Sequence, residues 1–412
     1  MRTLFLISAL ATILAAQSPF ALKPNDRVVF FGDSITDQRL YTTFAETFVV
    51  TRFPQSNITF THSGWGGDRV SGGGGGPVDV RLWRDVLPYN PTVVTIMLGM
   101  NDARYRAFDQ TIFDDFDKGM RHIVATLKRQ LPAVRVTLIQ PSPYDDVTRA
   151  PLFEGGYNNV LRRYSDFLKD LATTQSLQVA DLNTSVVAAL TKANTLNATD
   201  AAKLIPDRVH PGPAGHLLMA KALLEDWHAP SLVSAVEIEA ARRTASVQRN
   251  TQITGLTANG KSISWIQLDQ SLPMPVDTKD PLTALAVQAS KFHEALNQQT
   301  LKLARLLPGT YSFTIDGQPI GNFTAEQLAT GINLAELPTP MAQQAARVHA
   351  LTLQHTAIHN TRWRQVQVPL EKTNTPELLS ALRSLDELEA TIVKEQRATA
   401  QPLPRRYELT LN

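Results

Sequence analysis

Val28-Val29-Phe30-Phe31-Gly32-Asp33-Ser34-Ile35-Thr36-Asp37 is the stretch on which the reading of this chain turns. A continuous apolar run, the mark of a strand buried on both faces, stops abruptly at Gly-Asp-Ser. The break puts the Ser34 hydroxyl at the carboxyl end of the first strand. Open α/β sheets bind ligands in the crevice outside those strand ends. A hydroxyl is a weak nucleophile alone and needs a base, an orienting group and a home for the oxyanion. Candidates for all three lie further along the chain.

Strand-like runs at Arg27–Gly32, Ile58–His62, Thr92–Gly99, Val134–Gln140 and Gln178–Leu182 alternate with amphipathic stretches. The helical stretches fall near 39–52, 78–87, 112–130, 157–172 and 184–193, with a last one at Pro213–Trp227. Such alternation predicts a parallel sheet with helices on both faces. Composition changes after His228-Ala229-Pro230. From 231 to about 270 the chain reads as β-rich, with a hairpin turn at Asn259-Gly260. We expect a helical stretch near 281–306, a hairpin over Thr310–Phe323 with Asp316-Gly317 at its tip, helices near 338–362 and 375–397, and a final strand at Tyr407–Leu411. The domain reading is 1–21 signal peptide, 22–229 the α/β domain and 230–412 a mixed α+β extension of unknown role.

With 412 residues, 43% of them hydrophobic, the chain can bury a core for one large domain and an appendage. Forty basic against 38 acidic residues leave a net charge of +2, which argues against nucleic acid or an anionic membrane as partner. Cysteine is absent, so stability comes from burial and not from disulfides. The segment Met1–Ala16 has one arginine, a short apolar run and small residues at its end, the pattern of a secretory signal with cleavage in Ala15–Ala21. It implies a secreted or periplasmic protein without stable membrane insertion once the signal is removed. Oligomeric state is not written in the sequence.

Three further places fall at strand ends. Gly64-Trp65-Gly66-Gly67-Asp68 follows the second strand, and its glycines let backbone amides approach a ligand. Gly99-Met100-Asn101-Asp102 follows the third and offers a side-chain amide. Asp207-Arg208-Val209-His210 puts a carboxylate three residues before a histidine, so that Asp207 can hold Nδ1 while Nε2 faces a serine. Asp33 and Asp102 read as structural hydrogen-bond partners. His216 reads as a helix-surface residue. His355 and His359 stand four apart on a helix, but without a third ligand or an intervening glutamate they read as a solvated or packed face, not a metal site.

In their order, these blocks resemble the SGNH, or GDSL, hydrolase superfamily: Gly32-Asp33-Ser34, Gly67, Gly99-Met100-Asn101-Asp102 and Asp207–His210, over roughly residues 25–227. The resemblance implies a flavodoxin-like α/β/α sandwich with a central parallel sheet and ester hydrolysis through an acyl-enzyme without a cofactor. It makes Ser34 the nucleophile with Asp207 and His210, and makes Ser34, Gly67 and Asn101 the oxyanion hole. Thr61-His62-Ser63 departs from the pattern, because many relatives carry Asn and Arg there. The run Ser71-Gly72-Gly73-Gly74-Gly75-Gly76-Pro77 lacks the ending of a phosphate loop and reads as a surface loop or a mobile rim.

Export points to a substrate outside the cytoplasm, and secreted members with these blocks are often carbohydrate acetylesterases. Trp65, Asp33 and Tyr144 are the candidate substrate contacts, with Phe153 and Tyr157 as further walls. A small-molecule or polysaccharide ester is expected. The alternatives are a short-chain or lysophospholipase-like acyl esterase, and a carbohydrate-binding module without catalysis.

Overall fold

The structure is a computed structural model and describes residues 19–373 and 375–412. Most of the expected signal segment, residues 1–18, lies outside the described residues. Five parallel strands, β1 (Arg27–Gly32), β2 (Thr59–Gly64), β3 (Val93–Met97), β4 (Arg135–Ile139) and β5 (Gln178–Ala180), pair in the order β2-β1-β3-β4-β5. Helices cover both faces, which is why β1 and β3 are apolar almost throughout. Side chains of β1 alternate between the two layers. Phe30 meets Tyr41 and Trp227 on one side, and Phe31 lies beneath the Arg81 guanidinium on the other. The doubly wound order places the ends of β1, β2 and β3 around one switch point.

At the end of β1 the chain turns straight into a four-residue helix, α1 (Ser34–Asp37), and then α2 (Leu40–Arg52). Gly32 is dictated by crowding: a Cβ there would stand 2.2 Å from Thr36 Oγ1 and 2.8 Å from the Met97 carbonyl. Asp33 caps α1 by accepting from the Ile35 N–H at 3.0 Å.

Beyond Pro230 two further sheets enclose a second core around Trp265, Phe313, Tyr311 and Tyr407. One has the order Thr251–Ala258, Ser262–Asp269, Arg405–Leu411, Thr310–Ile315, Gln318–Thr324; the other joins Leu232–Glu239 to Thr244–Arg249 and Gln298–Ala304. Both expected hairpins form, with Gly260 at φ 88° and Asp316-Gly317 at 52° and 76°. Not all of this half stays apart from the first. Leu285, Ala286, Phe292 and Leu296 join the core of the parallel sheet. The helix Pro340–Asn360 lies against α2, and Val50 of α2 belongs to the second core.

The helical stretch expected near 281–306 is corrected. Helices end at Leu296, and Gln298–Ala304 is a strand paired in parallel with Leu232–Glu239. Its residues alternate, with Gln299, Leu301 and Leu303 buried, a two-residue period that fits a strand with one buried face better than a helix face.

Candidate active site

The loops after β1, β2 and β3 converge with Asp207–His210, which does not follow a strand as expected but joins the helices Ala198–Ala201 and Pro213–Asp226. Three side chains from two of these loops form a hydrogen-bonded chain. Ser34 Oγ stands 2.8 Å from His210 Nε2, and His210 Nδ1 stands 2.7 Å from Asp207 Oδ2. The other oxygen of Asp207 accepts the N–H groups of Val209 at 2.9 Å and His210 at 2.7 Å, so the loop folds around its own carboxylate. Desolvation acts to raise the Asp207 pKa, but those N–H groups and the imidazole outweigh it and hold the carboxyl below its usual range. A hydroxyl in contact with an imidazole that is itself anchored on a carboxylate is a route by which a proton can leave oxygen.

Gly67 takes φ 77°, a conformation open to glycine, although nothing lies within 4 Å of where a Cβ would point. The requirement there is conformational and not steric. Among the described residues none accepts from the N–H of Ser34 or of Gly67. Asn101 donates through Nδ2 to the Asp68 carbonyl at 3.1 Å and accepts at Oδ1 from the Tyr105 hydroxyl at 2.9 Å. The loops therefore gather Ser34, Asp207 and His210 directly, with Gly67 and Asn101 joined through Asp68.

Behind the serine sit buried carboxyls. Burial raises the Asp33 pKa to about 7 against the pull of the Ile35 N–H, with Asp102 and Asp68 adding repulsion. Asp102 is raised by burial to about 6 and accepts from the Val70 N–H at 2.9 Å. Asp102 ties its loop to the one after β2, whereas Asp33 only caps α1.

The candidate substrate contacts fare differently. Trp65 is corrected: its ring is buried, with Trp363 edge-on, Arg364 stacked on it and Arg81 and Arg84 near, so it packs a loop. Asp33 is buried as the cap of α1. Tyr144 is buried edge-on to Tyr157. The exposed aromatic at this end is Tyr105, 44% accessible, which sequence reasoning missed although it lies four residues after Asn101. His216 is also corrected. It is fully buried, accepting from the Tyr41 N–H and bonding Gln38, and desolvation lowers its pKa to about 3. The glycine run forms a small hairpin, Gly72–Gly73 with Gly76–Pro77, beside Trp65.

His355 and His359 are both buried. His355 bridges Glu46 at 2.9 Å and Glu389 at 3.1 Å, while His62 bonds the other Glu46 oxygen at 3.0 Å. Glu46, His62 and His355 bring ligand atoms within 4.8 Å of one another, a spacing a cation can bridge. Burial opposes the charged form of His355, but the two carboxylates outweigh it and hold its pKa up at about 10.

Comparison with known proteins adds a family to this geometry. Residues 30–218 match the GDSL-like Lipase/Acylhydrolase family. This segment, somewhat under half of the chain, is a domain of the SGNH, or GDSL, hydrolase superfamily. With membership goes the reaction class, carboxylic ester hydrolysis. An acetylxylan esterase of Geobacillus stearothermophilus is 24% identical over 224 residues, 49% of this chain and 94% of that protein. The solved structure of BT4096, a gut microbial diltiazem-metabolizing enzyme, is similar over 97% of this chain and 100% of its own, at 25% identity and a TM-score of 0.85. That second likeness extends the shared fold of this SGNH hydrolase through the C-terminal half.

Proposed function

We propose that this SGNH hydrolase is an exported serine esterase that removes acetyl groups from carbohydrate. The contact between Ser34 Oγ and His210 Nε2 carries the reading. Ser34 attacks the ester carbonyl as His210 takes its proton, and Asp207 stabilises the imidazolium. The N–H groups of Ser34 and Gly67 and the amide of Asn101 receive the oxyanion. His210 then protonates the departing alcohol, and water, deprotonated by the same imidazole, releases acetate from Ser34. Support for acetyl on sugar comes from the acetylxylan esterase relative, and for export from the Met1–Ala16 pattern.

A second reading, a short-chain esterase of small molecules, draws on the likeness to the diltiazem-metabolizing enzyme. Acetate release from acetylated xylan, set beside p-nitrophenyl esters of two to twelve carbons, separates them. Acetyl preference with polymer turnover supports the carbohydrate reading; acetyl preference without it supports small molecules. Preference for long chains overturns both. A fluorophosphonate that fails to label Ser34, with no ester turnover, leaves a binding module.

A further inference from the structure

Asn101 can stabilise an oxyanion only if its amide is turned so that Nδ2, not Oδ1, meets the charge. Two partners set that turn. The Asp68 carbonyl, which can only accept, takes one Nδ2 hydrogen at 3.1 Å, and the Tyr105 hydroxyl donates to Oδ1 at 2.9 Å. A flipped amide would face Oδ1 toward another carbonyl oxygen. The second Nδ2 hydrogen has no acceptor among the described residues and is left for a ligand.

The tyrosine is held for this task. Arg104 and Tyr105 both adopt left-handed backbone conformations, φ 56° and 52°, which two successive residues with side chains rarely do. Strained backbone of this kind persists where surrounding contacts over-determine it. Here the Tyr105 ring stacks on Tyr157 with centroids 5.0 Å apart, and the Tyr157 hydroxyl in turn bonds the Met100 carbonyl, next to Asn101. One tyrosine thus fixes the backbone before Asn101 and the other its side chain. Although the ring is partly exposed, partial desolvation of its hydroxyl, with the nearby Asp33 and Asp207 charges, pushes the Tyr105 pKa up to about 12, so it remains a donor throughout the working range of an esterase.

We infer that Tyr105 is a positioning residue for ester hydrolysis: its hydroxyl locks the Asn101 amide in the oxyanion-binding orientation and polarises it toward stronger donation. The inference rests on the proposed role of Asn101. The test is a double-mutant cycle of Tyr105→Phe and Asn101→Ala with p-nitrophenyl acetate, reading kcat and KM separately, with thermal unfolding of each variant. Tyr105→Phe should lower kcat about three- to tenfold with KM within about twofold, the scale of one hydrogen bond. In the Asn101→Ala background the same change should cost almost nothing, because nothing remains to be oriented. Full kcat in Tyr105→Phe, or an equal loss in both backgrounds, overturns the inference while leaving the oxyanion reading intact. Full kcat in Asn101→Ala alone removes that reading and this inference with it. A loss of stability without the kinetic coupling marks Tyr105 as mere packing and also overturns it.

Discussion

Trp363, in the C-terminal half, donates its indole N–H to the carboxylate of Asp85 at 2.6 Å. Asp85 also pairs with Arg81, whose guanidinium binds Asp68 at 2.7 Å and the Ser63 carbonyl at 2.7 Å. All four side chains are buried. Asp68 follows Gly67, and its carbonyl holds the Asn101 amide. Residues on either side of Pro230 therefore share one hydrogen-bonded frame under the loop that presents Gly67.

Trp363→Phe keeps most of the ring and deletes this donor. A hydrogen bond to a charged group contributes about 1.5–3 kcal/mol, so turnover should drop by about tenfold as the loop loosens. Steady-state kinetics on p-nitrophenyl acetate checks this, and wild-type kcat in a folded variant contradicts it.

Asp207→Asn tests the orienting carboxylate. Its oxygens serve His210 Nδ1 and two backbone N–H groups, and an amide placing its NH₂ toward the imidazole would hold the wrong tautomer. The expected loss in kcat is about 10⁴-fold, with the fold retained. Activity within tenfold of wild type would show that His210 needs no such partner.

Asp33 makes stability depend on pH. The unfolded carboxyl ionises near 3.8, whereas burial keeps the folded one protonated up to about 7. Below pH 4 both states hold the proton and ionisation costs nothing; stability then falls as pH rises through that window. Asp33→Asn preserves the acceptor for Ile35 and cannot ionise. Its melting temperature relative to wild type should climb between pH 4 and 7 and level off above, reflecting a stability gain on the order of 2–4 kcal/mol at about 1.4 kcal/mol per pKa unit. A pH-independent difference would refute the burial argument.

His355 fastens the helix Pro340–Asn360 to α2 through Glu46. Its pKa rises from an unfolded 6.5 to about 10, so its stabilisation is complete below pH 6.5 and lost as pH rises through 10. Breaking a buried pair by removing one partner costs about 3–5 kcal/mol. His355→Gln should therefore melt lower than wild type at pH 6, with the gap closing toward pH 10. Calorimetry across that range decides it; a gap that widens with pH would contradict a protonated His355.

What the sequence alone determined is local. A buried strand must be apolar and its abrupt end must be a turn, so Gly32-Asp33-Ser34 could be placed at a strand end. Asp207 and His210 lie close enough in the chain for their contact to follow from spacing. The hairpins at Asn259-Gly260 and Asp316-Gly317 follow from residues that accept positive φ. Only tertiary structure decided what Trp65, His216, Trp363 and Tyr105 do. A tryptophan beside a glycine reads the same whether it faces solvent or Arg364, and a histidine on a helix reads the same exposed or pinned to Gln38. The strand at Gln298–Ala304 escaped for a similar reason, since seven residues fit either period until a partner strand lies beside them. Burial and long-range partners are properties of packing. Hence Ser34 was legible from its neighbours in the chain, while the frame joining Gly67 and Asn101 to Trp363 was legible only from their neighbours in space.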